Sequence, residues 1–171
     1  SVPGKWLAMV MFLPLLFPDV PDPGRNEVDI AVIDVGQGLS VLVKTQHHAM
    51  LYDAGPAKIG GFDAGESVVV PALHAVGIRQ LDKIVISHGD NDHSGGLAAV
   101  MKAYSRASVI ASEGSLKIPA SPCQRAQKWT WDGVSFEFLH PPGFFPYMAN
   151  ESSCVLRIEA GGKVALLTGD I

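Results

Sequence analysis

The stretch Ser87-His88-Gly89-Asp90-Asn91-Asp92-His93-Ser94-Gly95-Gly96 sets two imidazoles and two carboxylates within six residues. The β-rich run Lys83-Ile84-Val85-Ile86 precedes it, and a small, helix-compatible run to Tyr104 follows. Together these read as a strand end, a ligand loop and a helix start. Residues i and i+2 of an extended segment share a side, so His88 and Asp90 can converge on one cation. Asp92 and His93, where the chain begins to coil, can face a second. Oxygen and imidazole donors suit Zn, Mn or Fe, and ions about 3.5–4 Å apart serve hydrolysis by clamping the attacking and leaving oxygens. The spacing predicts a binuclear site. A polar loop with Asp92 or Ser94 as a helix N-cap accounts for one of the four side chains.

His88-x-Asp90-x-Asp92-His93 followed by Ser94-Gly95-Gly96 resembles the metal motif of the metallo-β-lactamase superfamily, with Asp90 where a second His usually stands. With Asp34-Val35-Gly36-Gln37-Gly38 and Leu51-Tyr52-Asp53-Ala54-Gly55, it resembles the C-terminal domain of the ComEC family, the DNA-uptake channels of bacterial competence. The likeness runs from Glu27 onward. It implies an α/β fold of the αββα sandwich type over residues 27–171, with residues 1–26 as the end of a membrane segment plus a linker. The family's His-His-Gly-Ser run is absent, so the likeness also implies a missing C-terminal part, an incomplete second metal site and an open edge suited to dimerisation.

Trp6 to Phe17 is nearly all apolar and carries most of the excess in a hydrophobic content, 47%, that is high for a soluble protein. It is shorter than the roughly 20 residues needed to span a bilayer, and Pro14 interrupts it. It lacks the basic flank of a signal peptide. It reads as the tail of a membrane segment or an interfacial piece, and by length equally as a core helix. Pro21, Pro23 and Gly24 among charges mark a linker. The net charge of −4 offers no broad basic face for nucleic acid. Setting aside Asp34, Asp53, Asp90, Asp92 and Asp170 turns it into +1, so charge argues weakly in either direction. Cys123 and Cys154 are too few for a disulfide framework, and one bridge or two buried thiols are both open.

Val28 to Val35 reads as a strand with both faces apolar and therefore covered. Gly36-Gln37-Gly38 turns the chain into a strand at Ser40 to Lys44, and Ala49 to Asp53 forms a third. The adjacent pair His47-His48 points to opposite faces and cannot easily chelate one ion. Pro56 to Gly65 is a Gly-rich loop bordering a substrate entrance, and a helix from Glu66 or Ser67 to Val76 stops at Gly77. His74 on it reads as packed or surface. Leu97, Val100, Met101 and Tyr104 make one apolar helix stripe. The glycines Gly95-Gly96 are expected to let backbone approach the cations. A strand at Ser108 to Ala111 precedes a loop, then a hairpin Lys128–Trp131 and Val134–Phe138 turns at Asp132-Gly133. His140 sits at a strand end, where a ligand or proton donor could lie, although an isolated His is usually neither. Strands at Cys154 to Glu159 and Lys163 to Thr168 complete the pattern.

The resemblance implies His88, Asp90, Asp92, His93 and Asp170 as ligands of two divalent metals, Mn²⁺ or Zn²⁺, with Asp170 bridging. Asp53 braces the ligand loop, and Asp92 and Asp53 count as the catalytic residues. Asp34 and Gln37 lie at the rim of the site, and Asn150 and Ser153 would hydrogen-bond a phosphate or a water, with Glu151 departing from the family's pattern. Asp90 in place of His makes the first site harder and favours Mn²⁺. The implied function is a nuclease domain of a DNA-internalisation channel, degrading the strand not taken up. Its implied partners are DNA and the channel portion of the same polypeptide, at the inner membrane on the periplasmic side. Alternatives are a superfamily hydrolase of small esters, thioesters or lactams, and a non-catalytic DNA-guiding module with a vestigial site.

Overall fold

The computed structural model describes residues 22–171, so the apolar run Trp6–Phe17 lies outside the described residues. Strands β1 (Asp29–Val32), β2 (Val41–Lys44) and β3 (Ala49–Tyr52) form an antiparallel meander. A π-helical turn, Gly65–Val69, runs directly into α1 (Val70–Ala75). The Val70 N–H reaches back to the Gly65 carbonyl, and Pro71 has no N–H to continue a tighter ladder there. Strand β4 (Lys83–Ile86) then lies parallel to β3, α2 (Asn91–Ser94) and α3 (Leu97–Ala103) follow, and β5 (Ser108–Ala111) lies parallel to β4. A two-residue β6 (Ser121–Pro122) ends this sheet, whose order is β1-β2-β3-β4-β5-β6. Strands β7 (Lys128–Trp131), β8 (Val134–His140), β9 (Val155–Ala160) and β10 (Lys163–Leu167) form a second, antiparallel sheet in the order β10-β9-β8-β7.

The central strands of the first sheet are apolar on both faces because both are covered. Leu42, Leu51, Ile84, Ile86 and Val109 point to the helices and meet Leu73, Leu97, Val100 and Tyr104. Their neighbours Val41, Val43, Met50, Tyr52, Val85 and Ile110 point to the second sheet and meet Val134, Phe136, Phe138, Leu156 and Ile158. The result is a helix layer over two stacked sheets. Cys123 and Cys154, both buried in the inter-sheet core, are joined by a disulfide, which settles the alternative that the sequence leaves open.

One expectation is corrected. The run Val28 to Val35 is not covered on both faces: β1 is a sheet edge, exposed along its length, with Val32 72% exposed. Among the described residues only β2 pairs with it.

Candidate metal centre

Parallel pairing aligns Tyr52 with Val85, so the residues just past β3 and β4 emerge side by side. Asp53 follows β3 with a left-handed φ of 60°, a conformation Asp tolerates better than most residues, and its carboxylate turns into the core, fully buried. It accepts hydrogen bonds from the Ser87 N–H at 2.6 Å, the Ser87 Oγ at 2.7 Å and His93 Nδ1 at 2.8 Å. Burial lifts the Asp53 carboxyl above its ordinary range, against the pull of those hydrogen bonds. Burial disfavours the charged His93 ring, but the hydrogen bond and charge of Asp53, with Asp170 and Asp92 beyond, outweigh it and raise His93. The pair therefore holds the Nδ1 proton between them and leaves Nε2 of His93 aimed outward.

The ligand loop is pinned from beneath by main chain. The Ala54 N–H donates to the His93 carbonyl at 2.8 Å, and the Gly96 N–H to the Gly55 carbonyl at 2.9 Å. Gly95 and Gly96 do serve a close approach, but to backbone: a Cβ on either would collide with the main chain of Ala54, Ala57, Gly65 or Asn91. Asp90 occupies the N-cap position of α2 yet makes no capping hydrogen bond. Its Oδ2 lies 3.6 Å from His88 Nε2 instead.

His88 is buried with Nδ1 at 3.0 Å from Ser87 Oγ and 3.4 Å from Ser153 Oγ. Its Nε2 is buried and has no hydrogen-bond partner among the described residues. Leaving such an atom unpaired costs free energy, so a buried orphan needs an explanation, and a cation supplies one. His93 Nε2 lies 3.2 Å from Asp170 Oδ1 and 3.9 Å from Asp92 Oδ2. The two imidazole rings sit 4.2 Å apart. One donor atom each from His88, His93 and Asp170 falls within 4.8 Å of the others. Donors about 2.0–2.2 Å from a shared ion stand roughly 3–4 Å apart, a spacing that His93 Nε2 and Asp170 Oδ1 already have, and the set of two imidazoles and a carboxylate suits a divalent cation. The alternation along the loop assigns the two histidines to separate cations; the fold brings both to one three-donor group, with Asp90 and Asp92 flanking it from the half-exposed rim.

Asp170 reaches the group because Gly169, with φ 59°, passes against Ser87 and Ser153, where a Cβ would come within 2.8 Å of Ser87 Cβ. Ser153 is buried, its Oγ donating to the Asn150 carbonyl at 2.7 Å and facing His88, while Asn150 itself is exposed. Asp34 accepts the Gly36 N–H at 3.1 Å, closing an Asx turn. Asp34 and Gln37 line a groove of about 720 Å³ with Pro56, Lys58, Phe62 and Asp92. Gly38, at φ 130°, lies against the Asp92 carbonyl, so that loop rests directly on the ligand loop. His140 stands apart from the three-donor group, with Nδ1 at 3.0 Å from the Ser153 carbonyl.

Sequence reasoning missed Ser87 and Tyr147. Ser87 Oγ touches Asp53 and both histidines, and the Gly89 N–H donates to the Tyr147 hydroxyl at 2.9 Å. Adjacency to His88 is the one signal Ser87 carried.

A model of the metallo-β-lactamase superfamily matches residues 33–171. The chain belongs to this superfamily. It is 44% identical over 147 residues, 86% of its length, to competence protein ComA of Neisseria gonorrhoeae. It is 34% identical over 166 residues, 96% of its length, to recombination protein 2 of Haemophilus influenzae. In each case it spans 20% of the relative's own length. Among solved structures, a Cronobacter sakazakii metallo-β-lactamase with a HARLDQ motif shares the fold, with a TM-score of 0.60 at 25% identity, covering 90% of this chain and 65% of that one. The fold read from the sequence and the likeness to competence proteins are both borne out.

Proposed function

We propose that this chain is the metal-dependent phosphodiesterase domain of a bacterial DNA-uptake protein, hydrolysing the DNA strand that is not transported. The observation that carries the reading is the buried Nε2 of His88, unpartnered among the described residues, within 4.8 Å of donor atoms on His93 and Asp170. A chain with competence-protein relatives and such a donor set is suited to DNA hydrolysis. His88, His93 and Asp170 hold the ion, and Asp90 and Asp92 complete its surroundings from the rim. A divalent ion there supplies Lewis-acid polarisation of a phosphoryl oxygen and makes a bound water more acidic. Asp53 fixes His93 in the tautomer that presents Nε2, and Ser87 and Ser153 orient His88. Asp92, half-exposed toward the groove, is placed to take a proton from the attacking water. Asp34 and Gln37 position the strand at the groove rim. Two ions would share these donors, and Asp90 favours Mn²⁺ over Zn²⁺ as a harder ligand.

The Cys123–Cys154 bridge supports an extracytoplasmic location, because such bonds persist in oxidising compartments. Among the described residues no helix is long and apolar enough to cross a membrane, and the channel portion of the parent polypeptide would supply the anchor.

Elemental analysis of the purified protein beside cleavage of labelled single- and double-stranded DNA with Mn²⁺ or Zn²⁺ tests the reading. Bound metal and cleavage, both lost in His88→Ala and in His93→Ala, are expected. Hydrolysis of a thioester or a lactam but of no DNA would return the chain to the wider superfamily. Metal-free, inactive protein would leave the loop a relic.

A further inference from the structure

The chain between Pro56 and Ala64 folds as a small finger over the ligand loop. The Lys58 N–H donates to the Phe62 carbonyl at 2.8 Å, the Gly61 N–H to the Lys58 carbonyl at 2.9 Å and the Ala64 N–H to the Pro56 carbonyl at 2.8 Å. An isolated bridge joins Ala57 to Asp63, and Gly60 turns the tip at φ 67°. This ordered backbone holds two large apolar side chains in solvent: Ile59, fully exposed, and Phe62, 48% exposed. Lys58 makes no ion pair among the described residues. Phe62, Lys58 and Pro56 line the groove of about 720 Å³ together with Gln37, Asn91 and Asp92. Asp92 in turn reaches to 3.9 Å from His93 Nε2, so the groove adjoins the metal centre.

Resting on the phosphodiesterase reading above, we propose that the finger holds one nucleotide of a single-stranded nucleic acid beside the bond to be cut. Phe62 stacks on the base and Lys58 pairs with a backbone phosphate. The groove's volume lies in the range of ligand sites, and its makeup matches a nucleotide's two halves: an aromatic face for the base and a cation for the phosphate. Asp34 repels phosphate, so beyond the phosphate held at the metal centre the backbone runs on the Lys58 side and the base lies against Phe62 and Gln37. Stacking on an aromatic platform is sequence-tolerant, because every base has a π-face. That property suits a strand degraded whatever its sequence, and a finger shaped by its own backbone hydrogen bonds lowers the ordering cost of binding.

The test measures binding of a short labelled oligodeoxythymidine by fluorescence anisotropy in EDTA, which stops cleavage, beside the same strand with abasic sites. Phe62→Ala should weaken the base-bearing strand by about five- to a hundredfold and leave the abasic strand nearly unchanged. Phe62→Trp should keep the affinity. Lys58→Gln should weaken both strands and reduce the salt slope by about one. Equal affinity for Phe62→Ala and the unsubstituted protein, or equal loss on both strands, overturns the proposal. So does a Phe62→Ala variant that keeps its DNA affinity and loses binding to phosphatidylglycerol vesicles, which would make the finger a membrane contact. Hydrolysis of methyl p-nitrophenyl phosphate by the unsubstituted protein with Mn²⁺ or Zn²⁺ checks the centre separately, and no turnover there would end the phosphodiesterase reading without touching the binding result.

Discussion

Asp53 carries three hydrogen bonds on two oxygens in a fully buried place, and an amide cannot replace it. In Asp53→Asn one oxygen becomes an NH₂ facing donors on Ser87 and His93, so at least one buried donor loses its acceptor. The expected cost is about 1–3 kcal/mol of stability, read from urea unfolding. Metal affinity should fall roughly 10–100-fold, because His93 loses the partner that fixes its tautomer, and calorimetric titration measures this directly. An unchanged metal affinity would mean that Asp53 supports the fold alone. At the rim, Asp90 lies 3.6 Å from His88 Nε2 with no capping duty in α2. Asp90→His should therefore fold normally and shift the metal preference from Mn²⁺ toward Zn²⁺, a softer-ligand effect visible in competition titrations with the two ions. His88, Asp90, Asp92 and His93 were legible because they lie within one loop, where local alternation limits their reach. Ser87 was not, because its role depends on the parallel register that sets β4 beside β3, and nothing in either strand alone specifies that pairing. Asp170 was legible through family likeness only, since no local pattern links residue 170 to residue 93.

Elements show the same division between local and non-local information. The hairpin at Asp132-Gly133 was legible from its turn chemistry, with both residues at positive φ, 50° and 88°. What Asp132 does beyond the turn was not. Its carboxylate accepts from Thr45 Oγ1 at 2.7 Å and from the His47 N–H at 2.8 Å, and pairs with His47 Nδ1 at 2.9 Å, tying the β2–β3 turn of one sheet to the β7–β8 turn of the other. The adjacent histidines, which cannot easily chelate one ion, thus acquire structural partners, and His48 stacks on Trp131 with ring centroids 4.9 Å apart. The His47 side-chain hydrogen bond, joined by those from Thr45 Oγ1 and the His47 N–H, holds the Asp132 carboxyl well below its ordinary range, outweighing burial, which pushes it the other way. A depressed carboxyl contributes stability that is full above its unfolded value near pH 4 and is lost as pH falls toward the folded value. Acid unfolding should accordingly steepen below about pH 4 in the unsubstituted protein. Asp132→Asn should be less stable at pH 7 and flatter across that window, as thermal melts at pH 7, 4 and 3 would show. Parallel melting curves for the two proteins would remove Asp132 from the account. The edge strand β1 marks the limit of periodicity: a run apolar on both sides looks alike at a sheet's centre and at its margin, and position in the sheet is a property of the whole.

For the molecule as a whole, the two sheets meet through the inter-sheet core and through one covalent bond. Cys154 immediately precedes β9, its N–H donating to the Ser87 carbonyl at 2.9 Å and its carbonyl accepting the Tyr52 hydroxyl at 2.8 Å. The residue before it, Ser153, faces His88. Cys123, 31 residues earlier in sequence, anchors the end of the first sheet to this point. Closing a loop of that length restricts the unfolded chain by about 3–4 kcal/mol in the chain-entropy treatment. The double substitution Cys123→Ser with Cys154→Ser should lower unfolding free energy by about that amount, and added dithiothreitol should bring the unsubstituted protein to the same urea midpoint. Because the second sheet supplies both Ser153 and, past β10, Asp170, slackening its hold on the first sheet loosens two of the residues around the His88 nitrogen. Metal affinity should fall with reduction, whereas Asp132→Asn, which cuts a different tie between the sheets at the β2–β3 turn, should spare it. If reduction lowered stability and left metal affinity intact, the first sheet and its ligand loop would suffice to hold the ion, and Asp170 would lose its place among the ligands.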